Sequence, residues 1–268
     1  MKFILQIFFK GLYFFIIDKN FRRFVWLVIR HGNTKRYLPK KISLFNSRMQ
    51  VPDCKSFIWQ YYEIFFKGYY QFPCAKANPV IIDCGANIGI SIIDFKRQYP
   101  LAEIHAFEPD DHIFNILSDN INNYSLKHVT LHNQAVWIKD EELSFESEGA
   151  DGGKISHDSD QSKKVDAIDF ARFLNRFEHV NFLKIDIEGA ETKILPHIQG
   201  ELYKVDNIFV EFHSFNDQAQ HLNDVIQALS SNGHRIYIDN INFKNSPFIN
   251  KKGKYRMDLQ LNIFAYRP

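Results

Sequence analysis

Val80-Ile81-Ile82-Asp83-Cys84-Gly85-Ala86-Asn87-Ile88-Gly89-Ile90-Ser91 breaks a short apolar run with an acid and two spaced glycines. Pro79 punctuates the approach, and the β-branched residues Val80 to Ile82 have the composition of a strand buried on both faces. A glycine at 85 lets the chain turn sharply and approach a ligand, while Gly89 permits close packing of the following helix. Ile90, Ile92, Ile93 and Phe95 mark that helix as buried. Strand, turn and helix together direct backbone N–H groups at whatever sits above the strand end. The spacing is G-x-x-x-G and lacks the G-x-G-x-x-G of a dinucleotide pyrophosphate site, which argues against NAD.

Beyond the helix and its stop at Tyr99-Pro100, Ala102 to Phe107 reads as a second strand. It delivers Glu108 at its carboxyl end, 25 residues after Asp83. An acid there is placed to accept hydrogen bonds from both ribose hydroxyls of an adenosine ligand. Singly, the glycine turn is a tight connection and Glu108 a solvated acid; in register, the two favour a nucleoside site.

The chain has 268 residues and is 45% hydrophobic, enough for a full core. Its net charge of +2 hides an asymmetry: residues 1–50 carry eleven Lys or Arg against Asp18 alone, +10, which leaves −8 for the rest. Such a basic arm suits an anionic partner, a membrane surface or a phosphorylated substrate. Cys54, Cys74 and Cys84 form neither a C-x-x-C pair nor an even secreted framework, so a reducing compartment and no structural zinc are expected. Residues 3–17 are apolar but shorter than the roughly 20 residues of a spanning helix. Lys10 and the lack of a small-residue cleavage site disfavour a secretory signal. Phe21, Phe24, Val25, Trp26, Val28 and Ile29 then interleave with Arg22, Arg23 and Arg30. The arm, 1–50, is either an interfacial pair of helices on anionic lipid or a pair packed on the catalytic domain with a solvated basic side. Residues 51–78 form an aromatic lead-in with a short helix, whose rings are expected to serve core packing. Residues 79–268 form the main domain.

From residue 80 the chain alternates strand and helix, the signature of a parallel α/β sheet. A helix is expected from Asp110 to Asn123, a third strand at Val129 to Asn133, an extended run at 134–137 and an antiparallel piece at 143–145. The Gly-, Ser- and Asp-rich segment 149–162 reads as a loop or hairpin that could cover the site. Helix is expected from Ala167 to Leu174, a helix from Gln218 to Leu229, strands at Arg235 to Ile238 and Leu259 to Tyr266, and a polar loop over 239–258. The second strong motif is Asn181-Phe182-Leu183-Lys184-Ile185-Asp186-Ile187-Glu188-Gly189-Ala190-Glu191. Phe182, Leu183 and Ile185 make a buried strand with Asp186 at its carboxyl end, where open α/β sheets place their chemistry. The strand Asn207 to Phe212 ends in Glu211-Phe212-His213, so Asp186, Glu188, Glu211 and His213 converge if the two strands are neighbours. Each has a plainer reading, an acid capping the next helix or a surface histidine, but their convergence favours function.

Three segments in order, Asp83-Cys84-Gly85-Ala86-Asn87-Ile88-Gly89, Phe107-Glu108-Pro109 and Leu183 to Glu191, with Val165-Asp166-Ala167-Ile168-Asp169 before the last, resemble the FkbM family of S-adenosylmethionine-dependent methyltransferases. The resemblance spans about residues 79–215 and omits the arm. It implies a Rossmann-like class I methyltransferase fold with a mostly parallel seven-stranded sheet and helices on both faces. It implies an O-methyltransferase that uses S-adenosyl-L-methionine on a sugar, glycan or related hydroxyl. Gly85, Asn87 and Gly89 would line the methionine end, Glu108 the ribose and Ala135 the adenine, with Asp83 also in the cofactor-binding set. Cys84 departs from the small or apolar residue common there. A sulfonium is already activated, so the protein has to align donor and acceptor and remove the hydroxyl proton. Asp186 and His213 are the candidate bases, His213 favoured by its ordinary pKa of about 6.5, with Glu188 beside them. A metal on Asp186 and Glu188 is the alternative, but no third ligand is evident and none is assigned. The remaining readings are an NAD-dependent oxidoreductase and a non-catalytic membrane-associated partner in glycan assembly. The expected location is cytoplasmic, with the arm peripheral on the inner membrane face, a lipid-linked acceptor possible and no nucleic-acid partner.

Overall fold

A computed structural model describes residues 2–146, 153–155, 163–241, 245–250 and 257–268, with the side chains of 2–9, 154 and 155 excepted. Two helices, α1 (Lys2–Ile17) and α2 (Lys19–His31), lead to a hairpin of β1 (Lys40–Leu44) and β2 (Ser47–Val51). The arm is thus helical over its first 31 residues only. In the hairpin Ile42, Leu44, Met49 and Val51 are buried and their neighbours are not, the period-2 pattern of a half-buried strand. The lead-in holds α3 (Cys54–Tyr61), which runs directly into one turn of π-helix, Tyr62–Lys67.

The main domain follows with β3 (Val80–Cys84), α4 (Ile90–Gln98), β4 (Glu103–Phe107), α5 (Asp111–Asn123), β5 (Val129–His132), β6 (Ala135–Trp137), β7 (Glu141–Glu146), β8 (Lys154–Ile155), β9 (Lys163–Asp169), α6 (Phe170–Leu174), β10 (Val180–Ile185), α7 (Glu191–Ile198), a 3-10 turn (Gln199–Lys204), β11 (Val205–Phe215), α8 (Leu222–Ser230), β12 (Arg235–Asn240) and β13 (Met257–Tyr266). Seven strands form one sheet in the order β12-β13-β11-β10-β3-β4-β5. β3, β4, β5, β10 and β11 run parallel, and β13 is antiparallel to both its neighbours. This is the expected sheet, and its order reverses beside β3, so the β3 and β10 ends open on a crevice.

Alternation along the strands builds two cores. Ile81, Phe182 and Phe209 face one layer with residues of α3, α4 and α5, while Ile82, Leu183 and Val210 face the other with α6, α7 and α8. A second sheet, β6-β9-β7-β8, is inserted between β5 and β10. It corrects one expectation: the helix placed at 167–174 begins only at Phe170. Val165 and Ala167 are buried in β9 and Ala167 pairs with Ala135, so the period there is two, and Asp169 caps the helix by accepting from the Arg172 N–H at 3.2 Å. The helix expected from Gln218 starts at Leu222. Residues 149–152 and 156–162 of the expected covering loop, and 242–244 and 251–256 of the 239–258 connection, lie outside the described residues.

Candidate active site

At the end of β3 the chain passes over the start of α4 in a turn that only glycine can make. Gly85 has φ +86°, and a Cβ there would stand 1.9 Å from the Asp186 carbonyl oxygen. At Gly89, with φ +87°, a Cβ would press on Leu117 at 2.7 Å. The Gly85 and Ala86 N–H groups donate to the Phe107 carbonyl (3.0 and 2.9 Å), which fixes the turn against β4. Asn87 adopts φ +48° and its N–H donates to Glu108 Oε2 at 3.0 Å, while the Asp110 N–H donates to Oε1 at 3.0 Å. Each Glu108 oxygen thereby keeps acceptor capacity toward the cavity. Burial, opposed in part by those two N–H groups, pushes Glu108 up to about 7.

Asp83, fully buried, does not reach the cavity as a free acid. It accepts from Ser91 Oγ (2.5 Å) and pairs with Lys184 Nζ at 3.2 Å. Lys184 also approaches Asp186 at 3.2 Å and donates to the Gly85 carbonyl at 2.7 Å. Burial works against its charge, but Asp83 and Asp186 hold the ammonium well above its ordinary pKa. Lys184 is the cation that ties the glycine turn to the acidic end of the next strand.

That end has the planned convergence. Asp186, Glu188, Glu211 and Lys184 line one cavity of about 670 Å³ together with Gly85, Asn87, Glu108 and Ala135. Burial above all, with Glu211 adding to it, raises Asp186 against the pull of Lys184. Burial likewise takes Glu188 to about 8. Glu188 sits in the left-handed region at φ +55°. The turn around it is held by the Glu191 carboxylate, which accepts from the Ile187 and Gly189 N–H groups at 3.0 and 2.9 Å.

His213, the favoured proton acceptor of the sequence reading, is not among the residues that line the cavity. It lies behind the cavity lining, 3% exposed, with Nδ1 3.2 Å from Glu191 and Nε2 3.6 and 3.5 Å from Glu188 and Glu211. Burial disfavours its charge, but Glu191 and Glu188 prevail and lift its pKa well above 6.5. Glu211 is in turn held below the ordinary range, burial being outweighed by His213 and by a hydrogen bond from Gln260. The metal pair that the sequence offered, Asp186 with Glu188, gains no third ligand among the described residues, but another set does converge: one atom each of Asp186, Glu211 and His213 lie within 4.8 Å of one another. With His213 neutral, those atoms could hold a divalent cation, Glu191 orienting the ring from behind.

Glu63, Asp239 and Gln260 line the cavity without having drawn attention in the sequence, and Tyr69, one of the lead-in aromatics expected to serve core packing, lines it as well. Glu63 sits on the π-helix, where burial and the facing carboxylates of Glu211 and Asp186 push it to about 8. The sequence signal was its place as the one acid in the aromatic run 56–73. Tyr69 donates to Asp239 at 2.6 Å. Nothing local marked Asp239 or Gln260, which enter from the antiparallel edge of the sheet.

Residues 83–236 match the family described as the Methyltransferase FkbM domain. "Methyltransferase 1" of Beauveria bassiana is 27% identical over 175 residues, 56% of this chain and 70% of that protein. The hexuronic acid methyltransferase AglP of Haloferax volcanii is 24% identical over 223 residues, 80% and 89% of the two chains. Among solved structures, a methyltransferase FkbM from Methylobacillus flagellatus is 17% identical with a TM-score of 0.50, over 76% of this chain and 50% of its own. A SAM-dependent methyltransferase from Agrobacterium tumefaciens is 8% identical with a TM-score of 0.53, over 86% and 70%. At these identities the two structures speak for the fold alone.

Proposed function

The chain belongs to the FkbM methyltransferase family, and from that premise we propose that it transfers a methyl group from S-adenosylmethionine to a hydroxyl oxygen of a sugar or glycan. The observation that carries this reading is the single cavity that joins the glycine turn and Glu108 to Asp186 and Glu211. Glu108 would take the ribose hydroxyls, the turn at Gly85 and Asn87 the methionine end, and Ala135 would sit under the adenine. The hexuronic acid relative supports a sugar acceptor at the coarser level of class.

In the proposed step the acceptor oxygen attacks the sulfonium methyl carbon in line. The C–S bond breaks as the C–O bond forms, S-adenosylhomocysteine leaves, and the hydroxyl proton passes to a carboxylate. Asp186 is the base of this scheme, since it lines the cavity and burial raises its proton affinity toward the useful range. Lys184 orients it, and His213 holds the Glu211 carboxyl below the ordinary range beside it. Glu188 and Glu63, both near 8, are neutral at pH 7 and can donate to acceptor oxygens.

A second reading of the deprotonation rests on the Asp186, Glu211 and His213 atoms: a divalent cation there would lower the hydroxyl pKa directly. Chelation separates the two, because loss of turnover restored by magnesium or manganese selects the metal and unchanged turnover selects Asp186 alone. The function itself is tested by mass spectrometry of glycans from cells with and without the gene. A glycan lighter by one CH₂ in the mutant supports it, and identical glycans contradict it.

A further inference from the structure

The outward face of the amino-terminal helices is apolar, basic and uncovered. Leu12, Tyr13, Phe15, Ile16 and Ile17 of α1 are exposed, whereas Phe14 turns inward, its ring 5.3 Å from Phe66. The helix α2 is fastened to the body: Leu27 is fully buried, the Phe24 ring lies 4.8 Å from Tyr62, and Asn20 donates to the Phe65 carbonyl at 2.7 Å. Its other side presents Ile29, 80% exposed, and Trp26, over which the Arg23 and Arg30 guanidiniums lie at 4.7 and 5.6 Å. A single exposed apolar residue is ordinary, but an apolar face on two adjoining helices with a cationic rim marks an interaction surface.

We propose that this face docks on an anionic membrane surface, holding the mouth of the cavity at the bilayer so that the acceptor is presented from a lipid anchor. Charge selects the occupant. The +10 of residues 1–50 attracts anionic headgroups and repels a second copy of itself. The exposed Ile16, Ile17 and Ile29 have nothing to offer a nucleic-acid backbone, but they enter the acyl boundary while Trp26 and the arginines stay at the headgroups. The 16 residues of α1 rise about 24 Å, short of the roughly 30 Å hydrocarbon layer. Among the described residues no helix is long and apolar enough to cross a membrane, and the proposed contact is an interfacial one. The cavity reaches the same helices through Trp59, which is 61% exposed, lines the cavity and lies with its ring tilted, 6.4 Å from Phe24 on the body-facing side of α2. Docking stands by itself; the lipid-presented acceptor rests on the methyltransferase reading.

The test uses the full chain, sedimented with phosphatidylcholine vesicles with and without phosphatidylglycerol. An Ile16→Asp/Ile29→Asp variant and a Lys19→Glu/Arg30→Glu variant are run alongside, and the thermal shift with S-adenosylhomocysteine reports folding and the donor site. The wild type is expected to bind the anionic vesicles at least about tenfold better than the neutral ones, and each variant to lose about tenfold with its thermal shift intact. Equal binding by wild type and variants overturns docking, as does lipid-free self-association or RNA binding abolished by the same changes. No thermal shift in the wild type overturns the donor site instead and leaves sedimentation to decide docking. Donor-derived methyl label should enter the organic extract of incubated membranes, and label confined to the aqueous phase overturns the lipid-presented acceptor.

Discussion

Asp186 and Glu108 line one cavity and carry different chemistry. Asp186→Asn removes the proton acceptor but keeps a polar partner for Lys184. Turnover is expected to fall about 10²- to 10⁴-fold under saturating donor, measured by label transfer. Glu108, near 7, must be ionised to accept fully from the ribose hydroxyls, so S-adenosylhomocysteine affinity is expected to weaken as pH falls from 8 to 6, followed by calorimetry. His213→Ala strips the partner from the Glu191 and Glu211 carboxylates and from Glu188. As the loss of one partner from a buried ionic cluster, it is expected to cost about 3–5 kcal/mol of stability in denaturant unfolding. The sequence displayed Asp186, Glu188, Glu211 and His213 as strand-end residues, since an acid closing an apolar run is a local pattern. It could not display the role of His213, because a base and a buried partner of carboxylates differ only in what surrounds them, and Glu191 reaches the ring from a different element.

Among the elements, the parallel strands were legible because each is a short apolar run bounded by Gly, Pro or an acid. The hairpin β1–β2 was not, since its alternation is hidden among lysines and its buried side is defined by a helix some seventy residues away. Asn120 of α5 makes that junction: its Oδ1 accepts from the Gln50 N–H at 2.7 Å, and its Nδ2 donates to the Gln50 and Ile88 carbonyls at 3.1 and 2.9 Å. Asn120→Ala leaves backbone groups of β2 and of the glycine turn's end unpaired. A loss of about 1–3 kcal/mol is expected in thermal or denaturant unfolding, with faster amide exchange in the hairpin. The π-helix was invisible for another reason: Tyr62 to Lys67 has ordinary helical composition, and its wider turn, which carries Glu63 to the cavity, depends on packing between α2 and α4.

At the scale of the whole molecule the buried ionisable groups act together. Glu63 and Glu188, near 8, and Glu108 and Asp94, near 7, all stand above their ordinary 4.5 or 3.8, and His213 stands above 6.5. The folded chain therefore binds more protons than the unfolded one between about pH 4.5 and 8, and its stability falls as pH rises through that window. The thermal midpoint is expected to be higher near pH 5.5 than near pH 8.5, and the reverse order would contradict the burial of these acids. Apo stability and donor affinity thus move in opposite directions with pH. Calorimetric titration of S-adenosylhomocysteine into the wild type, Glu108→Gln and Asp186→Asn tests most directly whether one cavity divides donor binding from proton removal. The wild type and Asp186→Asn should bind alike, and Glu108→Gln about tenfold or more weakly. No binding by the wild type, or equal binding by all three, would contradict that division.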